Sequence, residues 1–114
     1  MSVRIKICGI TRLEDAKQAV SLGVDALGFV FFMRSPRYIE PTVAADIIRK
    51  LPPFVTKVGL FVNAAMDHVT EISEATQIDL IQYHGDEAPS FCAESPRSWV
   101  KAIRVRDGMD LAGE

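Results

Sequence analysis

A chain of 114 residues is long enough for one modest domain with its own core, and 48% hydrophobic and 25% charged residues are ordinary for a globular protein. A net charge of −2 argues against nucleic acid as a partner, and no apolar run approaches the roughly 20 residues of a membrane span. The two cysteines, Cys8 and Cys92, follow no CxxC or Cys/His spacing, so no metal site is expected. With no export signal at the N-terminus, we expect a reduced, cytoplasmic protein.

The first predicted strand covers residues 3–8 and ends at Gly9, where the backbone can turn sharply. Side chains alternate along a strand, so Lys6 and Cys8 share one face. A helix is predicted directly after the turn. Cys8 therefore stands at the C-terminal end of a strand and faces the start of a helix, which is where parallel α/β folds place their chemistry.

Helices and strands are predicted to alternate along the rest of the chain, from apolar residues at helical spacing and from short apolar runs. Thr11 and Glu14 are predicted to form a capping box for the first helix, and Asn63 to cap the third. Residues 106–114 resemble a loop and the first residues of a fifth helix. The predicted helices cover residues 12–22, 41–51, 66–75 and 87–93, and the predicted later strands cover residues 25–32, 55–62, 79–84 and 98–105.

This strand–helix rhythm predicts right-handed βαβ units and a parallel sheet. A repeat of roughly 20–25 residues suits a TIM-type barrel, whose full form has eight units and about 250 residues. We therefore expect an α/β fold made of parallel (β/α) units of a (β/α)8 barrel, here an incomplete barrel with about five strands and four helices. Because five strands cannot close such a barrel, an open flavodoxin-like sheet is the alternative.

Polar side chains near the ends of two predicted strands are the candidates for chemistry. Lys6 and Cys8 share a face of the first strand, and Gln82 and His84 share a face of the fourth. The C-terminal ends of parallel strands meet at one rim, and burying polar groups there costs free energy unless they are paired or functional. In the functional interpretation Cys8 is a thiolate base or nucleophile, with Lys6 or a helix N-terminus favouring its charged form.

Each candidate also has a purely structural interpretation. Cysteine is among the most buried residue types, so Cys8 fits equally well as a small core residue. Gln82 and His84 can simply be hydrogen-bonded groups inside the fold or at its rim. Arg34 and Arg37, in the loop after the second strand, are either solvated or hold a substrate carboxylate, for which the arginine fork is suited. Spacing alone leaves these alternatives open.

Five separated stretches carry a shared signature: 6–11 (KICGIT), 27–31 (LGFVF), 35–39 (SPRYI), 58–63 (VGLFVN) and 81–87 (IQYHGDE). Together, and in this order, they resemble the phosphoribosylanthranilate isomerases, the barrel enzymes of tryptophan biosynthesis. The resemblance covers the whole chain. It implies an Amadori rearrangement of N-(5-phosphoribosyl)anthranilate to the 1-deoxyribulose phosphate product, with no cofactor and no metal.

The resemblance also assigns roles to the candidates. It makes Cys8 the general base that takes the proton from C2 of the ring-opened Schiff base, and Arg37 the arginine that holds the anthranilate carboxylate. Lys6, Gln82 and His84 match polar positions near the substrate. These three are expected to bind substrate rather than to carry a step of the reaction.

Chains of this family are roughly twice as long, because the barrel requires eight units. Their general-acid aspartate belongs to the sixth strand, and their phosphate site follows the seventh and eighth. We therefore expect residues 1–114 to be the N-terminal part of a single barrel domain, nearly inactive alone. The expected partners are a small phosphorylated substrate and, at the open strand edges, a second copy or a C-terminal half that completes the barrel; neither nucleic acid nor a membrane is expected.

Two other interpretations remain. The chain could be a non-catalytic half-barrel assembly module that is complete as a dimer, or a flavodoxin-like open-sheet binder of a phosphorylated ligand. The binder is favoured least, because the residues CGIT after the first strand are not a GxGxxG phosphate loop.

Overall fold

Five parallel strands form one sheet in the computed structural model, which describes residues 5–102. The strands are β1 (Lys6–Cys8), β2 (Ala26–Val30), β3 (Thr56–Phe61), β4 (Leu80–Tyr83) and β5 (Ser98–Lys101). The helices between them are α1 (Leu13–Ser21), α2 (Pro41–Arg49), α3 (Met66–Thr76) and α4 (Pro89–Cys92). None of these helices has the length and apolarity needed to cross a membrane. The predicted outer ends of β1 and β5 and the predicted fifth helix lie outside the described residues.

The sequential strand order decides between the two predicted architectures. A flavodoxin-like sheet has the order 2-1-3-4-5. Here β1 pairs with β2, and each later described strand pairs with the one before it, always in parallel. Right-handed crossovers between neighbours in this order place the helices on one face of the sheet. The flavodoxin-like alternative is therefore wrong, and the predicted incomplete (β/α) barrel is confirmed.

The sheet curves so that its helix-free face is concave. Lys6 Nζ, on β1, donates a hydrogen bond to Gln82 Oε1, on β4, at 2.6 Å. In a flat sheet, three strand spacings of about 4.8 Å would separate these two strands by roughly 14 Å. The direct hydrogen bond therefore indicates that the first four strands wrap into a trough, as the wall of a barrel does.

The core lies between the convex face of the sheet and the helices. Tyr83 is fully buried there, where it packs edge-on against Phe91 and Trp99 while its hydroxyl pairs with Ser95 Oγ. Burial raises the pKa of Tyr83 above its ordinary value. Other side chains that are completely buried in this layer are Leu27, Phe29, Phe61, Ile81, Ala16, Ala44 and Val69. The convex face thus holds the apolar core, and the predicted polar site residues Lys6, Cys8, Gln82 and His84 share the concave face with apolar residues such as Val58 and Leu60.

Two predicted helix caps are wrong. Arg12, not Thr11, is the N-cap of α1, and no side chain caps the helix. The predicted capping residue Glu14 instead lies 3.5 Å from the Arg12 guanidinium. The helix α3 begins after Ala65, while Asn63 adopts a left-handed backbone with φ 51°. The Asn63 side-chain oxygen accepts a hydrogen bond from the Asp86 N–H rather than from the start of α3.

Candidate active site

A cleft of about 470 Å³ opens at the C-terminal ends of the strands on the concave face, and we call it the rim cleft. It brings together three of the five predicted site residues, Cys8, Arg37 and His84. They come from β1, from the loop after β2 and from the residue after β4, and they meet because parallel strands end at one rim. The remaining lining residues are Val30, Phe32, Ser35, Pro36, Leu60 and Val62.

Cys8 is the last residue of β1 and is partly exposed. Its register partner on β2 is Gly28. The Gly28 carbonyl accepts hydrogen bonds from the backbone N–H groups of Gly9 and Ile10, both at 3.0 Å. Gly9 makes the turn with φ 93°, a region that favours glycine. The backbone on the C-terminal side of the thiol is therefore fixed to the neighbouring strand.

Arg37 reaches the rim cleft from the loop between β2 and α2. The loop turns tightly because the Arg37 N–H donates to Ser35 Oγ at 3.0 Å and the Tyr38 N–H donates to the Ser35 carbonyl at 3.1 Å. The Arg37 side chain lies over Gly9, where an added methyl group would overlap its Cδ atom. Arg34, in the same loop, is exposed and does not line the cleft. The loop thus directs one of its two arginines into the cleft.

Lys6 and Gln82 do not line the rim cleft. Lys6 lies two residues before Cys8 and lines a second cavity, of about 190 Å³, towards the N-terminal ends of the strands. Its hydrogen bond to Gln82 joins β1 to β4 across the trough. The pair therefore forms a polar link beside the cleft, and its predicted contact with substrate stays a prediction.

His84 follows β4 and lines the rim cleft. Its backbone N–H donates to the Phe61 carbonyl at 2.9 Å, which extends the pairing of β3 with β4. Its side-chain Nδ1 is buried and has no hydrogen-bond partner within residues 5–102. Buried polar atoms are nearly always paired in native proteins, so this nitrogen is suited to bind a polar group that enters the cleft.

A buried carboxylate that the sequence pattern did not predict lies behind the rim. The Glu87 side chain is 2% exposed and accepts a hydrogen bond from Lys101 Nζ at 2.8 Å. It also accepts hydrogen bonds from the N–H groups of Asn63, at 2.7 Å, and Gly85, at 2.9 Å. Burial alone raises the pKa of Glu87, but these hydrogen bonds, led by that from Lys101, outweigh burial and hold the pKa below its ordinary value. Glu87 therefore connects the ends of β3, β4 and β5 beside His84.

Comparison with known proteins assigns this architecture to a family. Residues 5–113 match the family model of N-(5'phosphoribosyl)anthranilate (PRA) isomerase. The chain belongs to this isomerase family. The N-(5'-phosphoribosyl)anthranilate isomerase of Nitrosomonas eutropha is 55% identical over 111 residues, which cover 97% of this chain and 53% of the relative. The resemblance drawn from the five sequence stretches is therefore confirmed.

Solved isomerases share the fold. The phosphoribosylanthranilate isomerase of Thermotoga maritima superimposes with a TM-score of 0.88 at 43% identity, over 90% of this chain and 51% of that one. Another isomerase structure, with the same TM-score and identity, covers 90% of this chain and 54% of that one, and contains reduced 1-(o-carboxyphenylamino)-1-deoxyribulose 5-phosphate. The chain spans about half the length of the curated relatives it matches.

Proposed function

We propose that this chain supplies the catalytic base and the carboxylate-binding arginine of a phosphoribosylanthranilate isomerase. The observation that supports it is the single rim cleft that contains Cys8, Arg37 and His84 in a chain of this family. The substrate is N-(5'-phosphoribosyl)anthranilate, and the ligand of the solved relative has the matching parts: a carboxyphenyl group, a linking nitrogen and a five-carbon sugar phosphate. Residues 1–114 form the N-terminal part of one barrel domain in this proposal.

The reaction moves a hydrogen from C2 of the open-chain sugar to C1. Once the ribose ring is open, the anthranilate nitrogen forms a protonated Schiff base with C1, which acidifies the hydrogen on C2. The Cys8 thiolate takes this proton, the C2–H electron pair forms a C1=C2 double bond, and the C1=N electron pair moves to nitrogen. The resulting enolamine then becomes the ketone when C1 gains a proton and the C2 hydroxyl loses one. The rearrangement needs no oxidant, reductant or other reactant.

The other cleft residues suit the rest of the substrate. The Arg37 guanidinium offers the paired donors that a carboxylate accepts. Because its side chain lies over Gly9, directly after Cys8, a carboxylate bound there directs the attached sugar towards the thiol. The apolar walls formed by Val30, Phe32 and Leu60 fit the aromatic ring. In this proposal the unpaired His84 Nδ1 binds a polar group of the sugar.

The test of this function is to restore a complete barrel. The 114-residue chain is assayed alone and after mixing with the complementary half of a relative, such as the Nitrosomonas eutropha isomerase. We expect no turnover from the chain alone, because the general acid and the phosphate site belong to strands six to eight, and one such acid or base contributes about 10²–10⁴-fold. The mixture should turn over. A stoichiometric complex without activity would contradict the proposal, and activity of the chain alone would contradict this division of roles.

Native mass in the same experiment tests the proposed self-association. In the described residues β1 and β5 are the edge strands, and exposed apolar side chains lie on or beside them: Ile5, Ile7, Trp99 and Val100. Such edges favour association. We expect dimers or larger species of the chain alone, replaced by a one-to-one complex with the complementary half. A strict monomer would exclude self-association, whereas a homodimer that the other half cannot displace would favour the non-catalytic assembly module.

Substitution of Arg37 tests the carboxylate site. We expect Arg37→Met to raise the KM of the reconstituted enzyme about 10–100-fold with kcat nearly unchanged, because a hydrogen bond between charged groups contributes about 1.5–3 kcal/mol to binding. Arg34→Met is the matched control, since Arg34 occupies the same loop and, like Arg37, is exposed, but does not line the cleft. Steady-state kinetics measure both. Equal KM values for the two variants would show that Arg37 does not bind the substrate carboxylate.

A further inference from the structure

We propose that Gly28 is a positioning residue for the Cys8 thiol. A methyl group added at Gly28 would lie 2.9 Å from Cys8 Sγ, 3.2 Å from its Cα and 3.3 Å from its Cβ. The Cys8 side chain therefore occupies the space above Gly28 that any larger residue would fill. The inference rests on the proposed role of Cys8 as the base, and it concerns how the thiol is held rather than what it does.

The backbone of Gly28 contributes a second restraint. Its carbonyl accepts two hydrogen bonds, from Gly9 and Ile10, and these hold the turn that follows Cys8. On the N-terminal side of this turn, the parallel pairing of Cys8 with Gly28 fixes the position of β1 relative to β2. Backbone and side chain of Cys8 are thus both fixed against one residue of β2. Since side chains occupy discrete staggered rotamers, blocking the space over Gly28 must move Sγ to another rotamer or push the strands apart.

Thiol alkylation of the intact chain tests this placement without any need for turnover. We expect Gly28→Ala to raise the rate at which Cys8 reacts with iodoacetamide at least roughly threefold, because Sγ leaves the glycine surface for the open cleft. Cys92 is 1% exposed and serves as an internal reporter, since it reacts only when the chain unfolds. A Cys8 rate that is unchanged or slower, with Cys92 still protected, would overturn the proposal.

Gly59→Ala is the matched control. Gly59 lies on the neighbouring strand β3, and a methyl group there would meet Ile78 Cδ1 at 2.5 Å, in the core rather than at the thiol. It introduces the same change and comparable crowding into the same sheet. We expect it to leave the alkylation rate of Cys8 unchanged. Acceleration of Cys8 by both substitutions would show a general loosening of the sheet and would overturn the specific role of Gly28.

A double-mutant cycle covers the case in which Gly28→Ala unfolds the chain. If the conflict is with Sγ, removing the thiol must relieve it. The unfolding equilibrium constant should therefore rise less on Gly28→Ala in a Cys8→Ala background than in the parent, by a factor of roughly ten. If Gly28→Ala alone exposes Cys92, the double variant should protect Cys92 again. Equal destabilisation in both backgrounds would overturn the proposal. An inactive reconstituted enzyme would leave these results intact, so failure of the function and failure of the positioning role are distinguishable.

Discussion

Cys8→Ala should lower the kcat of the reconstituted isomerase at least about 10²-fold while KM changes little. A general base acts in the transition state for proton transfer, and such groups contribute about 10²–10⁴-fold to the rate. In the proposed mechanism, its removal leaves the carboxylate and phosphate contacts with the substrate in place. Initial rates with freshly prepared N-(5'-phosphoribosyl)anthranilate over a range of concentrations separate the two parameters.

The second cysteine supplies the control. Cys92 lies in α4, is buried in the core, and has its pKa raised by burial, so it stays a neutral thiol away from the rim cleft. Cys92→Ala makes the same chemical change and should reduce stability but not kcat. Urea unfolding of both variants checks that each remains folded in the assay. If Cys8→Ala kept more than about a tenth of the parent kcat, the residue could not be the base.

The fold was predictable because each element carries its own local signal. The alternation of apolar runs with helical stripes gave the order and approximate bounds of the described strands and helices, such as β3 at Thr56–Phe61 within the predicted residues 55–62. Helix caps were less predictable, because capping residues have competing partners. The Asn63 side-chain oxygen accepts a hydrogen bond from the Asp86 N–H at 2.9 Å, which is a contact between two loops rather than within one helix. Local patterns contain no information about such contacts.

The site was predictable only in part, and the resemblance contributed most of the roles. The alternation of side chains along the predicted strands put Cys8 and His84 at one rim, and both line the rim cleft. Nothing in the spacing distinguished Arg37 from Arg34, because the choice depends on how the loop folds over Gly9. The hydrogen bond between Lys6 and Gln82 was also not predictable from spacing, since it depends on the curvature that brings β1 and β4 within reach of each other.

Glu87 shows why buried polar networks escape sequence analysis. Glu87, in the loop before α4, and its partner Lys101, in β5, are 14 residues apart. Taken alone, each would be predicted to be a solvated surface charge. A lysine at the end of the apolar run in β5 was the available signal. The other partners of Glu87 are backbone N–H groups, which every non-proline residue has. Only the assembled loops reveal that one carboxylate satisfies donors from three strand ends.

Glu87→Gln should reduce the free energy of unfolding by about 2–3 kcal/mol at pH 7, the largest stability effect we expect from a single polar substitution. Removing one partner of a buried ion pair costs about 3–5 kcal/mol, and the partial exposure of Lys101 lowers this figure. The amide also presents an N–H group where the carboxylate accepted one, so a backbone donor at Asn63 or Gly85 is left unpaired. Urea denaturation followed by Trp99 fluorescence measures the change.

The pH dependence of this difference identifies the carboxylate as its source. Because the folded-state pKa of Glu87 lies below the ordinary value of 4.5, the folded chain binds its proton less readily than the unfolded chain. The stabilisation is therefore complete above pH values near 4.5 and is lost as the pH falls through the lowered folded-state pKa. The difference in the free energy of unfolding between the parent and Glu87→Gln should thus be constant near neutral pH and should shrink in acid. A difference that persists unchanged at low pH would mean that packing, not charge, is responsible.

Glu74 provides the control carboxylate for the unfolding measurement. Glu74 also faces an arginine, with its carboxylate 3.8 Å from the Arg97 guanidinium, but its side chain is 68% exposed. Exposed ion pairs contribute about 0–1 kcal/mol, so Glu74→Gln should be nearly neutral at every pH. Comparable losses in the two variants would show that Glu87 contributes no more than a surface charge. A large loss confined to Glu87→Gln would instead mean that one buried carboxylate holds together the chain segments at the ends of β3, β4 and β5.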